Sequence, residues 1–169
     1  MNNLRLRAME PEDLDFIYEI ENDSKIWNIG VTNVPYSRYI LHEYIAKSSA
    51  DIYTDRQVRL MINDDDKNIG IVDVVNFDPR NRKAEIGIVI AEKFRNSGYG
   101  KAALAVAIEY SASVIHLHQL YAIVAEDNTI SNRMFGNAGF IGTTTLKEWL
   151  FDGKKYINAT LMQKILEKK

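Results

Sequence analysis

From Lys83 to Ile90 the apolar residues Ile86, Ile88 and Ile90 alternate with Glu85, Gly87 and Val89. This is the two-residue period of a strand with little polar surface on either face, and it predicts a central strand. A short polar loop, Glu92 to Ser97, leads into Gly98-Tyr99-Gly100, and the run beyond carries Leu104, Val106, Ile108 and Ile115 among good helix formers, which predicts a buried helix. Earlier in the chain, Leu4 to Ala8 reads as a short strand. Pro11 among Glu10, Glu12 and Asp13 marks a helix start, because proline lacks an N–H that the first turn leaves unpaired and acids favour the positive end of the helix dipole. Leu14, Ile17 and Tyr18 give that helix one apolar face. Pro35 and Ser37 open a second helix with Leu41, Tyr44 and Ile45 at i, i+3, i+4 spacing, and Ser24 to Val34 between the two reads as irregular.

Arg56 to Ile62 and Ile69 to Phe77 follow as strands around the polar turn Asp64 to Asn68. Asp78-Pro79-Arg80-Asn81 is a turn signal joining the second of them to the central strand, so three strands form an antiparallel meander. The buried helix then crosses to Gln119–Ala125, which a right-handed crossover makes parallel to the central strand. Asn128 to Asn137 reads as a helix ended by Gly139 at C′. Thr143 to Phe151 and Tyr156 to Met162 pair across the hairpin signal Asp152-Gly153. The expected architecture is α/β, one domain over residues 1–169, with a mixed sheet of about seven strands flanked by about four helices. The early helical pair, placed before most of the sheet, is expected to wall a second-substrate pocket.

At 169 residues the chain is long enough to bury roughly 70% of its unfolded surface as a single domain. With 46% hydrophobic and 26% charged residues and no apolar run near the roughly 20 of a membrane span, it reads as an ordinary globular protein with no membrane partner. The opening M-N-N-L-R-L-R has no apolar core of the secretory kind, and there is no cysteine, so a cytoplasmic protein without disulfide or thiolate chemistry is expected. A net charge of −2 argues against nucleic acid, which calls for a basic stripe. His42, His116 and His118 stand apart from any set of carboxylates, and no metal is expected.

The junction at Gly98 is where chemistry enters. Glycines between a strand and a helix let backbone N–H groups approach a ligand closely, and the helix dipole adds positive potential, so the junction suits a phosphate flanked by Arg95 and Lys101. The P-loop spacing fails twice, since it needs glycine where Arg95 stands and Ser or Thr where Ala102 stands. The dinucleotide spacing G-x-G-x-x-G/A is met by Gly98, Gly100 and Ala103, with Glu126 as a ribose acid. That fold needs further strand–helix repeats, however, and only about 40 residues follow Glu126.

The third spacing, Arg95-x-x-Gly98-x-Gly100, resembles the acetyl-CoA loop of the GNAT acetyltransferase superfamily. Asn128-x-x-Ser131-Asn132-x-Met134-Phe135, running on to Ala138-Gly139-Phe140, is similar to the family's N-x-x-S/A segment that ends in G-F. Ala84-Glu85-Ile86-Gly87 resembles the branch of ribosomal-protein and spermidine acetyltransferases, and Trp149, Gly153 and Tyr156 extend the likeness into the tail hairpin. The resemblance implies a GNAT fold and acetyl-CoA as co-substrate. The backbone of Ile88, Val89 and Ile90 would splay from the next strand and bind the pantetheine arm. Backbone N–H groups of Arg95, Asn96, Ser97, Gly98, Tyr99, Gly100 and Lys101 would hold the pyrophosphate, and Asn128 would bond near the reacting end or simply cap its helix.

An alkyl amine of pKa roughly 10.4 is neutral at pH 7 in only about one molecule in 2,500, equivalent to about 4.6 kcal/mol, so a base is required. Glu85 is the candidate, directly or through water; the alternative is a salt bridge to Arg80, Arg82 or Lys83. Phe135 stands where many members carry a tyrosine that protonates the departing thiolate, which leaves Ser131 or water to donate. The expected activity is direct acetyl transfer to a primary amine. Glu19, Glu21, Glu43, Asp51 and Asp73 favour a polyamine such as spermidine if they face a pocket, and are solvated surface otherwise. A protein N-terminal amine, or a silent acyl-CoA-binding module, is the alternative, and a homo-oligomer is expected.

Overall fold

The computed structural model describes residues 3–24, 34–48 and 51–166; residues 25–33 of the segment expected to be irregular lie outside that description. Strand β1 (Leu4–Arg7) leads through a 3-10 turn (Pro11–Asp13) into α1 (Leu14–Glu21), followed by α2 (Arg38–Lys47) and a four-residue α3 (Ile52–Asp55). Then come β2 (Val58–Asp64), β3 (Lys67–Asp78), β4 (Lys83–Ile90), a 3-10 turn (Glu92–Phe94), α4 (Tyr99–Ser113), β5 (Gln119–Ala125), α5 (Thr129–Asn137), β6 (Ile141–Phe151) and β7 (Tyr156–Ile165). They form one seven-stranded sheet in the order β1-β2-β3-β4-β5-β7-β6, with β4 and β5 parallel and every other neighbouring pair antiparallel. The short α3 was not expected; Asp51 starts it by accepting from the N–H of Tyr53, and Arg56 ends it in left-handed backbone, which delays β2 to Val58.

Alternation along the strands sorts side chains to two faces. Ala84, Ile86, Leu120, Ala122, Val124, Val72 and Val74 join α4 and α5 in the larger buried cluster, with Ala103, Leu104 and Ala107 as the helix contribution. Met61 and Ile71, with Val89 at the edge, face the other way onto Ile17 and Ile20 of α1 and Leu41 and Ile45 of α2. So α1 and α2 cover the face opposite α4. Helix α4 is less enclosed than its apolar sequence suggests: Lys101, Ala105 and Glu109 are exposed, and burial is confined to the stripe Ala103, Leu104, Ala107 and Ser111. Leu104 is fully buried, and its truncation to alanine would cost about 3 kcal/mol.

Helix α5 ends in a Schellman arrangement. The N–H of Phe140 donates to the carbonyl of Phe135 at 3.1 Å and that of Gly139 to Gly136 at 3.0 Å, with Gly139 at φ 85. The accompanying apolar contact is the edge-to-face pair of Phe135 and Phe140, centroids 5.0 Å apart. A buried polar cluster fixes the other end of the sheet, where Arg7 donates to both oxygens of Asp13, at 2.6 and 2.7 Å, and Asn68 adds a third bond. No helix among the described residues is long and apolar enough to cross a membrane.

Candidate active site

Strands β4 and β5 run together for three residue pairs only, Lys83 with Gln119, Ala84 with Leu120 and Glu85 with Tyr121. Beyond that point β5 stays with β7 as far as Ala125, while β4 continues beside β3 to Ile90. The two strands therefore part, opening a gap along Ile86–Ile90 that is roughly 13 Å long at about 3.3 Å per residue. The N–H of Ala91 bonds to Ile69 at 3.0 Å on the β3 side, so by alternation the backbone of Val89 also faces β3 and that of Ile88 and Ile90 faces the gap. Of the three residues expected to present backbone to a pantetheine arm, Ile88 and Ile90 are so placed. Val89 instead turns its side chain to the α1 side.

The gap opens at the loop. Asn96 and Gly98 adopt φ 61 and 84, and Tyr99 begins α4, so the N–H groups of Tyr99, Gly100 and Lys101 form the first turn of a helix and have no partner within it. These donors and the dipole end suit the pyrophosphate. Asn96, Ser97 and Lys101 are exposed around them. Gly100 has a packing reason of its own, since a Cβ there would lie 3.1 Å from the sulfur of Met134 on α5. Arg95 is not a freely flanking cation. Its Nε donates to the carbonyl of Ile90 at 2.9 Å and its guanidinium lies 3.6 Å from Asp23, which ties this loop to the segment just after α1. The side chain of Tyr99 points away, donating to Asp64 at 2.7 Å; that hydrogen bond raises the phenol and holds the Asp64 carboxyl below its usual range.

At the start of α5, Asn128 accepts from the N–H of Ser131 at 3.1 Å, so its Oδ1 caps the helix and any cofactor contact falls to Nδ2. Ser131 and Phe135 lie one turn apart on the same side of α5, the first half-buried and the second only 5% exposed. The ring of Phe135 is committed to the core, which removes the usual tyrosine's proton from this position.

The face under α1 and α2 is the one expected to take the acceptor. Gly87 is exposed in the middle of the central strand, and a Cβ built on it meets nothing within 4 Å, so an open floor lies there. Glu85 and Tyr121 border it toward the closed end of the gap, and Asp73 lies opposite Gly87 on β3. Glu85 is half-buried and accepts from Asn76 Nδ2 at 2.9 Å. The expected salt bridge does not form through Arg82, whose guanidinium donates to the carbonyl of His116. Asn76 went unnoticed in the sequence; its position beside a turn, where asparagine tolerates left-handed backbone, was the available signal.

Two of the acids expected to attract a cation are held locally. Glu43 pairs with Lys47 one turn on, and Asp51 caps α3. Glu21 and Asp73 converge on Arg59, which Asp73 grips through both oxygens at 2.6 and 2.9 Å. Burial works against the Arg59 cation, but the two carboxylates outweigh it and keep the guanidinium firmly charged. Glu19 does face a cleft, about 400 Å³ in volume, between the end of α1 and the end of β4, where Asp23 and Glu92 add negative charge and Lys93 and Arg95 positive. Among the described residues no group of three His, Asp or Glu side chains is arranged to hold a metal.

Comparison with known proteins bears on this arrangement. The chain is 28% identical over 156 residues to the spermidine N(1)-acetyltransferase of Vibrio cholerae, covering 92% of this chain and 88% of that protein. The crystal structure of the V. cholerae enzyme in complex with CoA and spermine superposes with a TM-score of 0.89 at 28% identity, covering 99% of this chain and 98% of that one. A dodecameric structure of the same enzyme in an intermediate state matches at TM-score 0.83 and 27% identity, over 98% and 95%. Residues 3–141 match the acetyltransferase (GNAT) domain, so with its splayed strands and glycine-bearing loop the chain belongs to the GNAT acetyltransferase family.

Proposed function

We propose that this acetyl-CoA-dependent N-acetyltransferase acts on a polyamine, spermidine or a close diamine relative. The observation that carries the reading is the acid-lined cleft beside β4. Glu19 and Glu92 face it beside the Asp23–Arg95 pair and Lys93, and the cleft lies on the same face of the sheet as Glu85 and the open floor at Gly87. A chain of amines separated by methylenes suits such a surface, one ammonium held by carboxylates while another reaches the floor. The V. cholerae relative that binds CoA and spermine supports this choice.

With the pyrophosphate at the N–H groups of Tyr99 to Lys101, the pantetheine arm runs back along Ile90 and Ile88, and the thioester arrives near the closed end of the gap. Glu85, on the acceptor side of that end, takes the proton from the attacking ammonium directly or through water. The neutral amine attacks the thioester carbonyl, a tetrahedral adduct forms, and its collapse gives the acetamide and the CoA thiolate. A thiol of pKa near 8.5 takes up a proton at pH 7 with about 2 kcal/mol in its favour, so Ser131 or water suffices where Phe135 cannot donate. No covalent enzyme intermediate is required. The chain is also proposed to act as a homo-oligomer, supported by the dodecameric relative and by Trp149, Phe151 and Ile141 left exposed on the edge strand β6. Its lack of cysteine fits a cytoplasmic setting.

The test is CoA release measured with spermidine, diamines and a peptide with a free N-terminus. Spermidine should be turned over with the highest kcat/KM. A peptide turned over tenfold faster would move the assignment to protein N-termini. Acetyl-CoA binding without transfer to any amine would show a silent binding module, the reading that the phenol-free position of Phe135 favours.

A further inference from the structure

Strand β3 loses register with β4 between Val75 and Asp78, and Asn76 lies in the resulting bulge with φ 53. Left-handed backbone is costly for most residues and least so for asparagine after glycine, and bulges re-aim side chains. Here the bulge turns the Asn76 amide onto β4, where Nδ2 donates to Glu85 Oε2 at 2.9 Å. Tyr121 is the β5 residue paired with Glu85, and its phenol lies close enough to feel both the Asn76 amide and the Glu85 charge. Side chains from three adjacent strands thus meet at the last rung before β4 and β5 part.

We propose that Asn76 is a positioning residue for acetyl transfer, its amide fixing the Glu85 carboxylate beside Tyr121 at the closed end of the gap; this rests on the reading of Glu85 as the base. One carboxylate oxygen is occupied by the amide, which leaves the other to accept a proton. Without the amide, a half-buried glutamate has several rotamers, only some of which face an amine. The other groups that face Glu85 are Lys83 on the same side of β4, Tyr121 on β5, and Asp73 of β3, itself bonded to Arg59 of β2. Burial, and then the charge of Glu85, push the Tyr121 phenol up while the nearby Asn76 amide opposes them, so the hydroxyl stays protonated beside the base.

The experiment compares Asn76→Gly, Asn76→Asp and Glu85→Gln with wild type, using the full chain, acetyl-CoA and spermidine. Glycine accepts the left-handed backbone without strain, so Asn76→Gly should keep its melting temperature and its KM for acetyl-CoA while kcat falls about tenfold. Asn76→Asp sets a second carboxylate beside Glu85 and should move the acid limb of the kcat/KM profile to higher pH by about one unit. A purely structural asparagine would shift neither the limb nor kcat at constant KM. If Glu85→Gln is inactive while Asn76→Gly stays within threefold of wild type and the Asn76→Asp profile is unmoved, the positioning role is overturned and the base reading stands. If Glu85→Gln itself stays within threefold, both fall. Should Asn76→Gly melt early, the pH profile of Asn76→Asp decides alone.

Discussion

Replacing Gly98 with valine tests the cofactor loop through its backbone. Gly98 sits at φ 84, where an L-residue loses roughly 1–2 kcal/mol, and a β-branched one lies at the upper end of that range. The variant has two responses. It can keep the loop and lose that stability, or relax the loop and withdraw the N–H groups of Tyr99, Gly100 and Lys101 from the pyrophosphate. Even if only the strain is felt on binding, 1.4 kcal/mol is about tenfold in Kd, and each donor withdrawn from a charged phosphate adds about 1.5 kcal/mol more. Gly98→Val should therefore weaken acetyl-CoA at least tenfold by titration calorimetry at fixed salt, in a protein that still folds. Gly153, at φ 92 in the β6–β7 hairpin, supplies the control: Gly153→Val carries a similar backbone penalty and should leave affinity unchanged. A folded Gly98→Val with wild-type affinity would refute the loop assignment, and tight NAD binding alongside it would restore the dinucleotide spacing.

Two further outcomes follow from the described contacts. Burial pushes the Asp13 carboxyl up, but bonds from Arg7, the N–H of Glu10 and Asn68 outweigh it and hold it below the usual range. That contribution to stability is present above about pH 5 and lost as pH falls below about 4; Arg7→Met, which strands a carboxylate only 3% exposed, should cost about 3 kcal/mol in urea denaturation at pH 7, less at pH 3, and a loss under 1 kcal/mol at pH 7 would sink the argument. Phe135→Tyr should preserve or raise kcat if its hydroxyl reaches the gap, whereas Tyr121→Phe should lower kcat if the acid has moved to β5; a rate unchanged in both variants would leave proton delivery to Ser131 or water.

The parts of the site built from backbone were the parts legible in the sequence, because glycine spacing and a two-residue apolar period are themselves statements about backbone. Ile86, Ile88 and Ile90 located the central strand, and Arg95-x-x-Gly98-x-Gly100 located the donors at the start of α4. Side-chain partners across strands were not legible, since they depend on register. Asn76 reaches Glu85 only because β3 bulges after Val75, and Arg59 collects Glu21 from 38 positions away. Glu43 and Asp51, two of the acids expected to attract a polycation, are committed for a more local reason. Glu43 precedes Lys47 by four helical positions and Asp51 precedes Thr54 by three, spacings that announce an i,i+4 pair and a helix cap before any pocket is considered. At Gly87 what matters is the side chain it lacks: α1 and α2 cover this face, and an exposed glycine on a central strand marks where the cover is open. Read in that way, the alternation Glu85, Gly87, Val89 places a carboxylate beside a gap on one face, which is the geometry a base needs to meet an incoming amine.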